Sequence, residues 1–197
     1  FAASAPEGVW LYGDGRLSLV GAAGCVRQLA PAGLTGSASA MAVTGGVALF
    51  ADGSCSLRRV ALPSGEALPE ISGLPSPVAD VVALSGSLVA AVHSDCGLTI
   101  VNAESGVIRP HSSLGVDCLA SSRVSVVRDS QGGVWFYDGA GAVYHYDALN
   151  GILRRVVLLD PAEAAALPSL SINVVPDVMV PGIYWIASLG GGLVRYD

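Results

Sequence analysis

Gly8, Gly46, Gly86, Gly133 and Gly182 each open a stretch built to one plan, and the steps between them run from 38 to 49 residues. Residues 8–20 (GVWLYGDGRLSLV), 46–57 (GVALFADGSCSL), 133–146 (GVWFYDGAGAVYHY) and 182–196 (GIYWIASLGGGLVRY) carry the plan most plainly. A looser copy covers 86–101. A repeat of this length restricts the fold to an array of one supersecondary unit, whose apolar faces are hidden only by its neighbours. Helical arrays need an apolar period of 3.6 residues, which these stretches lack. A parallel β-helix needs shorter and more regular turns.

Each copy reads as two strands around a tight turn. Asp14-Gly15, Asp52-Gly53 and Asp138-Gly139 supply the turn, because glycine accepts the positive φ that a primed hairpin demands. A second set of turns follows at Ala23-Gly24, Ser64-Gly65, Ser105-Gly106 and Asn150-Gly151. Beyond each lies another short strand, at 25–29, 66–71, 107–111 and 152–159. Ahead of each hairpin after the first comes an apolar segment fit for an inner strand: 38–43, 79–84, 123–128 and 172–180. Four strands per repeat of this size make a β-propeller blade. The expected architecture is therefore all-β, with about five blades at roughly 1–36, 37–75, 76–121, 122–170 and an incomplete 171–197. Only seven residues precede the first repeat, too few to guarantee a full inner strand, and no fourth strand follows Tyr196. A single propeller segment of a longer chain is the expectation. One helix is expected, over 161–167, with Asp160 as its cap and Pro161 in its first turn.

Composition agrees with stacked sheets. Hydrophobic residues form 52% of the chain and charged ones 13%, about half the usual share. Such a chain must bury both faces of much of its structure. The charge-free run 28–51 is long enough to cross a bilayer, but Pro31, Gly33, Gly36, Gly45 and Gly46 interrupt it, so no membrane span is expected. The net charge of −6 and the absence of any basic cluster beyond Arg58-Arg59 and Arg154-Arg155 argue against nucleic acid as a partner. Cys25, Cys55, Cys96 and Cys118 show no metal-ligand spacing and read as half-buried strand residues, or as one or two disulfides in an oxidising compartment.

Two segments resemble the repeats of two-component regulator propellers, the sensor regions of hybrid two-component signalling proteins. Residues 122–135 (SRVSVVRDSQGGVW) follow that family's plan of inner strand, Asp-x-x-Gly and strand tryptophan. Residues 167–175 with 184–197 are similar again. Counted from its glycine, the second repeat has Ala48 where the tryptophan would stand, and the third has aliphatic residues only. The resemblance implies an extracytoplasmic, periplasmic sensor that perceives a ligand, often a glycan fragment, and signals to a kinase.

Catalytic constellations are thin. His93, His111 and His145 sit in no metal-spaced or Ser/His/Asp pattern. Glutamate occurs only at 7, 66, 70, 104 and 163. No catalytic residue, metal ligand or cofactor is assigned, and a propeller lyase or glycosidase is the minor alternative. Candidate ligand contacts come instead from the turns between second and third strands, which share a blade end with the connections between blades. Those residues are His93 and Asp95, Tyr137 and Asp138, Asp14, and Asp52. Acidic groups and an aromatic ring on one rim could hydrogen-bond and stack on a sugar, although Asp-Gly is also what a tight hairpin requires. Trp10, Trp135 and Trp185 read as packing between blades. The expected function is a binding module for a carbohydrate, another small molecule or a protein, with a general protein-interaction scaffold as the alternative.

Overall fold

The computed structural model describes residues 2–5, 8–22, 24–30, 38–95, 97–109, 125–128, 133–137, 143–147, 150–156, 172–177, 179–180, 183–188 and 192–196. They fall into two compact units, one of residues 1–93 with 98–111 and one of 94–97 with 112–197. Every regular element among the described residues is a β-strand, and every pairing is antiparallel between strands adjacent in sequence. The helix expected over 161–167 lies outside the described residues.

The first unit holds three sheets. Blade 1 is β1 (Ala2–Ala5), β2 (Gly8–Gly13), β3 (Arg16–Gly21) and β4 (Gly24–Leu29), in that order. Blade 2 is β5 (Ala40–Thr44), β6 (Val47–Ala51), β7 (Ser56–Ala61) and β8 (Ala67–Ser72). Blade 3 is β9 (Val78–Ala83), β10 (Leu88–His93) and β11 (Leu98–Asn102). An isolated bridge from Val101 to Ile108 stands where its fourth strand was expected. The short segment before the first repeat suffices for an inner strand, since β1 pairs with β2 from Ala2–Leu11 to Ala5–Gly8.

Turn chemistry explains the hairpin of blade 1 but not that of blade 2. There Phe50–Arg58 is the last pair and only Gly53 has a positive φ, so a longer loop replaces the two-residue primed turn expected at Asp52-Gly53. In blade 1 the expectation holds. Gly13 pairs with Arg16, leaving a two-residue loop in which Asp14 has φ 52° and Gly15 φ 71°. Two positive φ values make a type I′ turn, whose twist matches that of the strands it joins. Gly8 is needed for a different reason. Its φ is 147°, and a Cβ there would lie 2.5 Å from the backbone oxygen of Val20. Gly8→Ala is therefore expected to lower the unfolding free energy by roughly 2–3 kcal/mol, visible as a lower urea midpoint. An unchanged midpoint would mean that β2 can rotate away from β3 at little cost.

Two apolar layers join the three blades. Trp10, Tyr12, Leu17 and Leu19 of blade 1 pack on Met41, Val43, Ala48, Phe50 and Val60 of blade 2. Ala42, Leu49, Ala51 and Leu57, from the other side of blade 2, pack on Val78, Val81, Val89, Ala91 and Val101 of blade 3. Each blade thus has a forward face, toward the next blade in the chain, and a back face. Trp10 points forward, whereas Ala48, its counterpart when residues are counted from the glycines, points back. Leu49 takes the forward place. The glycine alignment of the second repeat is one residue out, and a one-residue slip along a strand exchanges every side chain between faces.

The second unit holds two sheets. Blade 4 is β12 (Ser125–Arg128), β13 (Val134–Tyr137), β14 (Val143–Asp147) and β15 (Ile152–Val156), and blade 5 is β16 (Ile172–Pro176), β17 (Tyr184–Ser188) and β18 (Gly192–Tyr196). Trp135 joins them. It is 1% exposed, stacks on His145 of its own sheet at 4.3 Å, and meets Tyr184 and Tyr196 of blade 5 at 4.6 and 5.3 Å. Trp135 therefore faces forward, like Trp10, and Tyr184 and Tyr196 form the back face of blade 5. Trp185, one residue on, points forward again.

Candidate functional site: the turns between second and third strands

In the first unit these turns and the segments connecting blades share one end of the sheets, and backbone hydrogen bonds tie them together. Leu74 and Val78, flanking the connection into blade 3, donate to the carbonyls of Cys55 and Ser54 in the turn of blade 2. Ser39, entering blade 2, donates through its N–H to the carbonyl of Ala51 at 2.7 Å. The end of the blades is a braced edge.

The acidic turn residues shape the loops that carry them. Asp14 is exposed at the first corner of the I′ turn. Asp52 accepts the Ser54 N–H at 3.1 Å and pairs with Arg58 at 2.6 Å. Hydrogen bonding from Ser54, with help from Arg58, holds its carboxyl below the usual range, against a smaller opposing effect of burial. Asp95 accepts the Gly97 N–H at 3.0 Å and is itself exposed. Tyr137 ends β13, opposite Ser125 and Val143, and Asp138 lies outside the described residues.

His93 has a different setting. It is 0% exposed, with Nδ1 2.8 Å from the Ser76 carbonyl and Nε2 2.7 Å from the Thr99 hydroxyl. A carbonyl only accepts, so Nδ1 carries the proton and donates to Ser76, while Nε2 hydrogen-bonds with the Thr99 hydroxyl. The imidazole fastens the connection from blade 2 onto β10 and β11. Its strand alternation explains the enclosure: β10 shifts register against β9 at Val92 and His93, which turns the ring under residues 73–77. The exposed group of that turn is Asp95.

Two charged residues that sequence reasoning passed over are set more deeply. Arg59 is 7% exposed; Nε donates to the Pro69 carbonyl at 2.7 Å, and Nη1 to the carbonyls of Ala103 and Glu104, both at 2.9 Å. It crosses from blade 2 into the last turn of blade 3. Asp80 is the one charged residue in the sequences of β1, β5 and β9. Burial raises its pKa to about 6, although it accepts the N–H of Val81 at 2.8 Å. A lone carboxylate in the apolar string VADVVA was the available signal for Asp80. For Arg59 it was alternation with Leu57.

Cys55 is an exposed free thiol in the turn of blade 2, not the half-buried strand residue expected from spacing. Among the described residues no three His, Cys, Asp or Glu side chains converge as a metal site would require. Among the described residues no helix is long and apolar enough to cross a membrane.

The arrangement defines a β-propeller, and solved structures agree. The chain is similar to BamB from Moraxella catarrhalis, with a TM-score of 0.67 at 18% identity over 100% of this chain and 60% of that one. It is also similar to the WD40 β-propeller domain of Doa1, with a TM-score of 0.65 at 15% identity over 98% of this chain and 61% of that one. The chain thus spans about three fifths of the length of either structure. No family model matches the sequence, and no curated protein matches it.

Proposed function

We propose that this chain is a recognition module, not a catalyst, and that it binds at the blade end carrying Asp14 and the turn 52–55. The observation behind this reading is the bracing of that end: backbone bonds from Leu74 and Val78 hold the turn of blade 2 in place. Short loops fixed on a rigid sheet present polar groups at constant spacing, which suits recognition. Fold alone does not choose a ligand. Exposed Asp14 and Asp52, with the thiol of Cys55, favour a polar, hydrogen-bonding partner such as a carbohydrate or a polar protein surface. The resemblance of residues 122–135 and 167–197 to two-component regulator propellers supports a more specific role, as the periplasmic sensor of a signalling protein. A histidine kinase encoded in the same reading frame is what that role predicts; interaction domains there would mark a scaffold instead.

Titration calorimetry with a panel of plant and bacterial oligosaccharides tests the binding reading. Saturable binding is expected, with Asp14→Gly, which keeps the positive φ of the turn and removes the carboxylate, weakening it at least about tenfold while leaving the melting temperature within a few degrees. Equal affinity in the variant would remove this blade end as the site. Binding to no member of the panel would remove the carbohydrate reading.

A further inference from the structure

The brace on the turn of blade 2 is itself fastened by a titratable ring. Leu74 and Val78 reach the carbonyls of Cys55 and Ser54 at 3.2 and 2.9 Å. Ser76, midway between them, is gripped through its carbonyl by His93 Nδ1–H at 2.8 Å. Its own hydroxyl is buried and has no partner among the described residues. Ser54 in turn donates its N–H to Asp52 at 3.1 Å. A line of hydrogen bonds therefore runs from the imidazole, through the connection between the blades, to the loop that carries Asp52 and Cys55.

The ring is enclosed against an uncharged layer. His93 and Thr99 are each 0% exposed and stand in register with Val78 and Ala91, on the face of blade 3 that packs against blade 2. His93 apart, β10, β11 and the connection 73–77 carry no charged or titratable residue. The charged groups of the surrounding elements are engaged or turned elsewhere. Asp80 of β9 pairs with Val92 and lies on the opposite face. Asp52 is taken by Ser54 and Arg58, and Asp95 is exposed and accepts the Gly97 N–H. Protonation leaves both hydrogen bonds of the ring possible, because the Thr99 hydroxyl accepts as well as donates. It adds a charge that only water would solvate, and the enclosed position excludes water.

We propose that His93 is a proton-operated latch on this end of the blades: protonation favours withdrawal of the ring from residues 73–77 and loosens the turn 52–55. The inference rests on the reading of that end as the recognition end, and it makes recognition strongest at neutral pH and weaker in acid. The open form takes up the proton more readily than the closed one, so opening gains about tenfold per pH unit below the ordinary imidazole value of about 6.5. Asp80 works in the opposite sense, since its burial costs more as pH rises, and the two effects are separable.

Residue-resolved amide exchange from about pH 7.5 to about pH 5, on the 197-residue chain carrying Asp80→Asn, tests this. That background removes the other buried titration. The protection factors of Leu74 and Val78 are expected to fall about tenfold per pH unit below about 6.5. Ser39, which braces blade 2 through the Ala51 carbonyl, should change less than about twofold. Adding His93→Asn, which keeps a donor for the Ser76 carbonyl and takes up no proton, should abolish the fall. Where asparagine unfolds the chain, the onset near the imidazole value and the contrast with Ser39 decide alone. Protection that holds down to pH 5, a fall shared equally by Ser39, or a fall that survives His93→Asn overturns the proposal. No ligand is present in these measurements, so their failure is separate from a failure of the recognition reading.

Discussion

Arg59→Ala is expected to destabilise the protein by about 3–5 kcal/mol, while Arg58→Ala, one residue away, costs less than about 1 kcal/mol. The contrast follows from strand alternation. Arg58 lies at the surface beside Asp52, where solvent already screens both charges. Arg59 points into the layer between blades 2 and 3 and satisfies three carbonyls. Burial lowers its pKa, yet a guanidinium stays charged at any working pH. Alanine removes the donors and leaves the carbonyls of Ala103 and Glu104 without their guanidinium partner beneath a closed sheet. Arg59→Lys keeps the charge but not the planar fork, and recovers only part of the loss. Urea unfolding of the three variants checks the order. Equal midpoints for the two alanine variants would show that water replaces Arg59 without cost, and the bridging role would be gone.

The same pair of arginines shows where sequence reading stops. Adjacent in the chain, they looked like one small basic cluster, and only the register of β7 separates an exposed ion pair from a buried bridge. The strands and the turn at Asp14-Gly15 were legible, because a glycine beside an aspartate or serine reports a backbone need that does not depend on tertiary context, whereas Asp52-Gly53 looked identical and closes a longer loop. Facing was less so. Gly46 sits in a turn and Gly8 in a strand, so an alignment on glycine put Ala48 opposite Trp10 and exchanged the faces of blade 2. His93 carried no local sign of its enclosure, which arises from a register shift in β10 and a carbonyl seventeen residues earlier, at Ser76. For the acidic turn residues, a local aspartate reads alike whether it shapes a loop or contacts a ligand. The bonds from Ser54 and Gly97 show that Asp52 and Asp95 shape theirs.

Asp80→Asn is expected to stabilise the protein by roughly 3 kcal/mol at pH 7 and above, and by almost nothing well below pH 4. The carboxyl is raised from 3.8 to about 6 because burial on β9 disfavours the charged form. The folded state therefore holds its proton more tightly than the unfolded chain does. Well below pH 4, under the unfolded value of 3.8, both states are protonated and Asp80 costs little. As pH rises from 4 to 6 the unfolded chain releases the proton first, and the wild type loses stability relative to the variant. Above 6 the folded state carries a buried carboxylate and the whole penalty is present. Asparagine keeps an oxygen for the Val81 N–H and carries no charge at any of these values, so its advantage should trace that titration. Thermal melts of both proteins from pH 4 to 8 would show the two curves separating through this window. A constant offset across the range would mean that Asp80 does not titrate there. A variant that is less stable at pH 7 would mean that the carboxylate has a partner worth more than its burial costs.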